Sequence, residues 1–141
     1  MDERDTPNLQ ASYDRVAKEY VERIFNELDD KPLDRSLLDR FAERVKDKGP
    51  ACDLGCGPGH VARYLKNNDI EVFGIDLSDG MVQQARTMNP DIDFHQGDMM
   101  ALELADQTLS GIAAFYSIIH IPRHAVVDAL IEMKRVLQVG G

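Results

Sequence analysis

Three glycines at alternate positions, Gly55, Gly57 and Gly59, follow directly on a short apolar run that carries an acid, Ala51-Cys52-Asp53-Leu54. Glycine reaches positive φ without steric penalty and has no Cβ to hold a ligand away from the main chain. The segment therefore predicts a strand, a tight turn and a helix start at which the backbone itself can touch a ligand. A site for a nucleotide-like cofactor is the first expectation.

Along the rest of the chain strand-like and helix-like stretches alternate, with no internal repeat. Short apolar runs at 51–54, 70–75, 92–94 and 109–116 are too short for helices and read as strands 1 to 4. Between them lie helical stretches. Residues 58–67 carry Val61, Ala62 and Leu65 on one face, with Pro58 suited to a first helical turn. Ser78 is placed to cap a helix with Met81, Val82, Ala85 and Met88, and Pro122 opens a helix over 122–138 whose stripe is Val126, Leu130, Met133 and Leu137. Residues 97–108 have little periodicity and stay unassigned. Ahead of strand 1, stripes at Leu9 to Leu28 and at Leu33 to Val45 predict two amino-terminal helices, the second ending before Gly49-Pro50. Alternating strands and helices predict an α/β fold with a parallel sheet, right-handed crossovers and helices on both faces. Residues 1–48 form a helical segment and 49–141 the cofactor-binding portion of what is, by length, a single domain.

With 43% hydrophobic and 29% charged residues and no apolar stretch near the ~20 residues that span a bilayer, the chain reads as a globular protein. Its polar, acidic start, MDERDTPNLQ, lacks the regions of a secretory signal, which predicts the cytoplasm. A net charge of −9, with the basic residues scattered, repels phosphate backbones and argues against nucleic acid as a substrate. Cys52 and Cys56 have too few companions for a zinc site; Cys52 reads as a buried strand residue and Cys56 as a small turn residue. His120 and His124 have the spacing of a metal pair, but Pro122 lies between them and no third ligand is evident, so no metal is expected.

Ligands of an open parallel sheet bind beyond the carboxyl ends of the strands, and three acids fall there: Asp53 in strand 1, Asp76 closing strand 2 and Asp98 after strand 3. A carboxylate at the Asp76 position can accept both hydroxyls of a ribose. NAD enzymes share these features, yet in their G-x-G-x-x-G fingerprint the third glycine comes three residues after the second; here that place is His60, and the third glycine is Gly59, giving G-x-G-x-G. That spacing weakens a dinucleotide reading.

DLGCGPG at 53–59, GIDLS at 74–78, GDM at 97–99, FYSIIHIP at 115–122 and RVLQVGG at 135–141, with YDRVAKEY at 13–20, resemble in order the signatures of class I S-adenosylmethionine-dependent methyltransferases of the small-molecule type. The resemblance implies a Rossmann-like sheet, S-adenosyl-L-methionine as cofactor and methyl transfer to a small molecule. It further implies that the backbone around Gly55, Cys56, Gly57 and Gly59 cradles the methionine part, with the Asp53 position helping to hold its ammonium group. Asp76, with Leu77 beside it, would take the ribose, Met81 would cover the adenine, and Asp98 and Met99 would meet its amine and ring. Tyr116, Ser117 and His120 would lie near the transferred methyl, with His120 and Tyr116 the catalytic candidates. His120 is the one base among them, although it can equally cap or pack under the following helix. Tyr13 and Tyr20 could close over the cofactor, or serve as ordinary core aromatics. Methyl transfer from a sulfonium has a good leaving group already, so positioning is the main task and no triad is expected.

The family's sheet has seven strands, and this sequence stops where the fifth would begin. The expectation is a truncated sheet of strands 1 to 4, with strand 4 as an open apolar edge through which the chain self-associates. A non-catalytic module that binds the cofactor or its demethylated product, and an NAD-linked oxidoreductase, are the rival readings.

Overall fold

The computed structural model describes residues 21, 23 and 25–141, apart from the side chain of His120. The first expected helix, with Tyr13 and Tyr20, therefore lies almost wholly outside the described residues. Its last positions fall in a 3-10 turn, Glu27–Asp30, whose Leu28 is buried. Helix α1 (Pro32–Val45) follows, with proline in its first turn, where a missing N–H leaves no bond unmade.

Strand β1 (Ala51–Leu54) is buried along its whole length. It is followed by α2 (His60–Asn67), β2 (Val72–Asp76), α3 (Asp79–Met88), β3 (Asp93–Gln96), β4 (Gly111–Ala113) and α4 (Arg123–Val136). The four strands form one sheet in the order β3-β2-β1-β4, and every neighbouring pair is parallel. Register is set with Ala51 opposite both Val72 and Gly111. The order reverses at β1, since α2 leaves β1 toward β2 on one side and β4 returns to pair on the other. In an open sheet the crevice for a ligand lies at such a reversal.

Alternation along the strands divides the core in two. Ala51, Val72, Phe94 and Ala113 face Leu38, Ala42, Val61, Leu65 and Val82 from α1, α2 and α3. Cys52, Leu54 and Ile75 face the opposite way, toward Leu102, Met133 and Val136. Helices thus cover both faces, as expected. Side chains such as Leu38, Leu65 and Phe94, each almost fully buried, contribute about 1.5–3 kcal/mol apiece by leaving water. The four-stranded Rossmann-like sheet is the architecture the strand and helix pattern predicts.

Several boundaries differ from the sequence reading. The helix expected at 58–67 begins only at His60, because Gly55, Gly57 and Gly59 all have positive φ and Pro58 belongs to the turn. Strands 2 and 3 run Val72–Asp76 and Asp93–Gln96, shifted toward the carboxyl side of the apolar runs. Strand 4, expected over 109–116, pairs only over Gly111–Ala113. Its start is occupied by the returning chain: Leu109 N donates to Val136 O at 2.9 Å, and Gln138 N donates to Leu109 O at 2.8 Å. Past the strand, Tyr116 adopts a left-handed backbone at φ 59°, which a strand cannot continue. The helix that follows buries Ala125, Ala129, Met133 and Val136, so its inner face is turned from the expected stripe, and Leu130 is half exposed.

Candidate functional site

At the carboxyl ends of β1, β2 and β4, three segments meet. The turn after β1 is tied to β2 from beneath: Gly55 N and Cys56 N both donate to Ile75 O, at 2.7 and 3.0 Å. Gly57 N donates to Asp76 Oδ2 at 2.8 Å, and the other oxygen of that carboxylate accepts from Ser78 N at 2.9 Å. Asp76 therefore pins the glycine turn to the entry of α3. Ser78 in turn caps α3, its hydroxyl accepting from Met81 N at 3.2 Å, as its position in the sequence predicts.

Two of the glycines are required by their surroundings. A Cβ added at Gly55 would stand 2.2 Å from Ser117 Cβ, so the loop after β4 lies directly on the turn after β1. A Cβ at Gly59 would stand 2.7 Å from the Phe94 ring and 2.8 Å from Asn89 Nδ2. Both positions also have the left-handed φ that glycine accepts freely.

Asp53 lies below the turn rather than open to it. It is 2% exposed, and its Oδ2 accepts from Ala62 N at 3.0 Å, placing a carboxylate against the first turn of α2. Burial pushes its pKa up to about 7; the Ala62 N–H pulls the other way, and the nearby Asp76 charge adds to the rise. Burial likewise raises the Cys52 and Cys56 thiols, and both cysteines are free and buried. They are core residues with inert thiols.

Asp98 follows close by, because Gly97 N donates to Asp76 O at 2.9 Å; the Asp98 carboxylate accepts from Met100 N, also at 2.9 Å. Met81 is buried in the first turn of α3, with Leu77 and Met99 half-buried. The structure thus brings Gly55, Cys56, Gly57, Asp76, Asp98 and Ser117 to one end of the sheet. Tyr116 points elsewhere: it is 53% exposed and donates from its hydroxyl to Asp34 Oδ2 at 3.0 Å. The backbone of His120 closes a 3-10 turn, Ile118–His120, while its side chain and Tyr13 lie outside the described residues. Among the described residues, no group of three or more His, Cys, Asp or Glu could hold a metal ion.

Sequence reasoning passed over three neighbours of the turn. Asn89 is fully buried and donates from Nδ2 to Pro58 O at 3.1 Å and to Ala85 O at 3.0 Å, bracing the turn from the end of α3. His60 directs Nε2 toward Glu27 Oε1 at 3.6 Å, and Lys31 joins the same carboxylate at 3.2 Å while lying 4.7 Å over the Tyr116 ring. Nothing in the local pattern announces such long-range partners.

Residues 51–141 match a family model described as a methyltransferase domain. The chain belongs to this methyltransferase family. Malonyl-acyl-carrier-protein O-methyltransferase from Enterobacter lignolyticus is 31% identical, over 97% of this chain and 52% of the relative. Demethylmenaquinone methyltransferase from Beutenbergia cavernae is 26% identical, over 99% and 57%. The chain thus spans about half the length of these curated relatives. Among solved structures, the PH0226 protein from Pyrococcus horikoshii OT3 superposes with a TM-score of 0.74 at 26% identity, over 87% of this chain and 62% of that one.

S-adenosyl-L-methionine is the cofactor this methyltransferase membership brings, and the residues present fit it. The fit rests on a turn that offers bare main chain, an acid at the end of β2, and the Ser117 hydroxyl, which is buried beside Gly55 with no hydrogen-bond partner. A buried polar atom left without a partner costs about 1–3 kcal/mol, and a polar ligand would remove that cost.

Proposed function

We propose that this chain carries the cofactor-binding part of an S-adenosylmethionine-dependent methyltransferase that acts on a small-molecule acceptor. The observation that carries this reading is Asp76, a buried carboxylate at the end of β2 whose two oxygens hold the glycine turn and the start of α3 in one geometry. In this reading Asp76 receives the ribose hydroxyls, the main chain of 55–59 seats the methionine part, Met81 and Leu77 flank the adenine, and Asp98 with Met99 meets its polar edge. The bound cofactor supplies an electrophilic methyl group on a cationic sulfur.

The residues of the chain then act by orientation. Ser117 fixes the loop after β4 against Gly55, and so sets the floor of the cleft on the acceptor side. Tyr116 is held at the surface by Asp34 and by the Lys31 ammonium over its ring; it and His120 are the groups we assign to the acceptor. The support for a small-molecule acceptor is the naming of relatives for malonyl-acyl-carrier protein and demethylmenaquinone, together with the acidic charge of the chain.

Calorimetric titration with S-adenosylmethionine and with NAD in parallel tests the cofactor, and transfer of a labelled methyl group to a metabolite pool tests turnover. Saturable binding of the first cofactor alone is expected; uptake of NAD, or of neither, would contradict the reading. We assign self-association to the groove of about 540 Å³ beside β4, lined by Ile112, Ala114, Leu130, Met133, Leu137 and Val139. Sedimentation at micromolar concentration should show a dimer or larger species, and a monomer would remove this assignment.

A further inference from the structure

The buried polar atoms left without a partner among the described residues are His60 Nδ1 and Ser117 Oγ. They come from separate parts of the chain, the first residue of α2 and the loop after β4, yet both border the glycine turn. His60 follows Gly59 directly, and Ser117 rests on Gly55. Native structures rarely leave such atoms unsatisfied, so two of them flanking one turn need a common explanation.

The two are also joined at the rim. From His60 the contacts run to Glu27, from Glu27 to Lys31, and from Lys31 to the ring of Tyr116, the residue before Ser117. The strap of residues 27–34 therefore links the start of α2 to the chain just past β4. Its effect on His60 is chemical. A carboxylate at 3.6 Å from Nε2 favours the tautomer with its proton on that nitrogen, which leaves Nδ1 with a lone pair. Burial lowers the pKa of His60, with the Glu27 charge opposing, and this favours the neutral imidazole near pH 7. Nδ1, the ring nitrogen nearer the main chain of the turn, is then an acceptor in search of a donor.

Asp53 cannot be the sole partner of a cationic group here. It is sealed beneath the turn and already accepts from Ala62 N.

We propose that His60 Nδ1 and Ser117 Oγ accept hydrogen bonds from the α-ammonium group of the bound cofactor, with Glu27 as a positioning residue that sets the His60 tautomer. This rests on the cofactor reading given above. The three residues then select for a ligand that keeps its amino-acid head.

The test is calorimetric titration of the full chain with two ligands, S-adenosylhomocysteine and 5′-methylthioadenosine, which shares the nucleoside and lacks the head. His60→Phe and Ser117→Ala should each weaken S-adenosylhomocysteine about tenfold or more, as expected for a lost bond to a charged group, and leave methylthioadenosine within about twofold. Glu27→Gln should give a smaller loss, again confined to the ligand with the head. Unchanged affinity for S-adenosylhomocysteine in both direct variants would overturn the assignment, and so would an equal fall for both ligands, which marks a structural role. If His60→Phe does not fold, Ser117→Ala and the strap variant Glu27→Gln carry the same contrast. Failure of the wild-type chain to bind either ligand would instead remove the cofactor reading itself.

Discussion

The turn after β1 and the loop after β4 touch through Gly55 and Ser117, yet they are held by different means. The first is braced by buried groups: Ile75 O, the Asp76 carboxylate and the Asn89 amide all bond its main chain, and Phe94 packs beneath Gly59. The second follows a strand of only three paired residues and passes through Tyr116, a non-glycine residue at φ 59° held by contacts with Asp34 and Lys31 near the surface. Buried bonds resist solvent competition and exposed ones do not. The turn after β1 is accordingly over-determined, and the loop after β4 is left adjustable; under the proposed function these are the cofactor side and the acceptor side. Such a division suits a reaction whose one invariant partner is the cofactor.

The sharpest way to break this contrast is Gly55→Ala. Its Cβ would meet Ser117 Cβ at 2.2 Å in a left-handed backbone, so both segments must move. A loss of about 3 kcal/mol or more is expected, with loss of cofactor binding; urea denaturation and calorimetry read the two effects. Asn89→Ala tests the brace alone. It leaves Pro58 O without its buried donor and should lower stability by about 2 kcal/mol, while a change below about 0.5 kcal/mol would show that the turn does not depend on it.

Asp53 gives a smaller effect with a definite sign. Its folded pKa, about 7, lies above the ordinary value of 3.8, so between these limits the folded chain binds the extra proton. Stability must then fall as pH rises from about 4 to about 7, with a slope of at most about 1.4 kcal/mol per pH unit. Comparing stabilities from urea denaturation at pH 5 and pH 7 should show a fall of about 2 kcal/mol that Asp53→Asn abolishes; an unchanged slope in the variant would locate the titration elsewhere. Tyr116→Phe should have the least effect. It removes an exposed bond to Asp34 and should cost under about 1 kcal/mol in a thermal melt, whereas a large loss would mean that the β4 side is as firmly built as the turn.

The same contrast governs what could be read from the sequence. Strand β1, the glycine turn, the Ser78 cap and Asp76 were legible because local rules decide them: φ at glycine, a hydroxyl three residues before an N–H, an acid closing an apolar run. The β4 side was not. Periodicity favoured the larger side chains Val126 and Leu130 for the inner face of α4, but the helix buries the small Ala125 and Ala129 with Met133 and Val136 and turns Leu130 outward. The apolar run at 109–116 read as one long strand, because nothing local shows that Leu109 is taken by the chain returning at 136–138. Asn89 and His60 act across about 30 residues of sequence and the strap at 27–34 across as many as about 80, distances at which spacing carries no signal.

A crystal of the chain soaked with S-adenosylhomocysteine tests the central claim most directly. The expected result is a nucleoside whose ribose hydroxyls lie within hydrogen-bonding distance of Asp76, with its amino-acid head over the turn at Gly55–Gly59. Density for the ligand elsewhere, or a cleft that stays closed by Ser117 and its neighbours at saturating ligand, would contradict it.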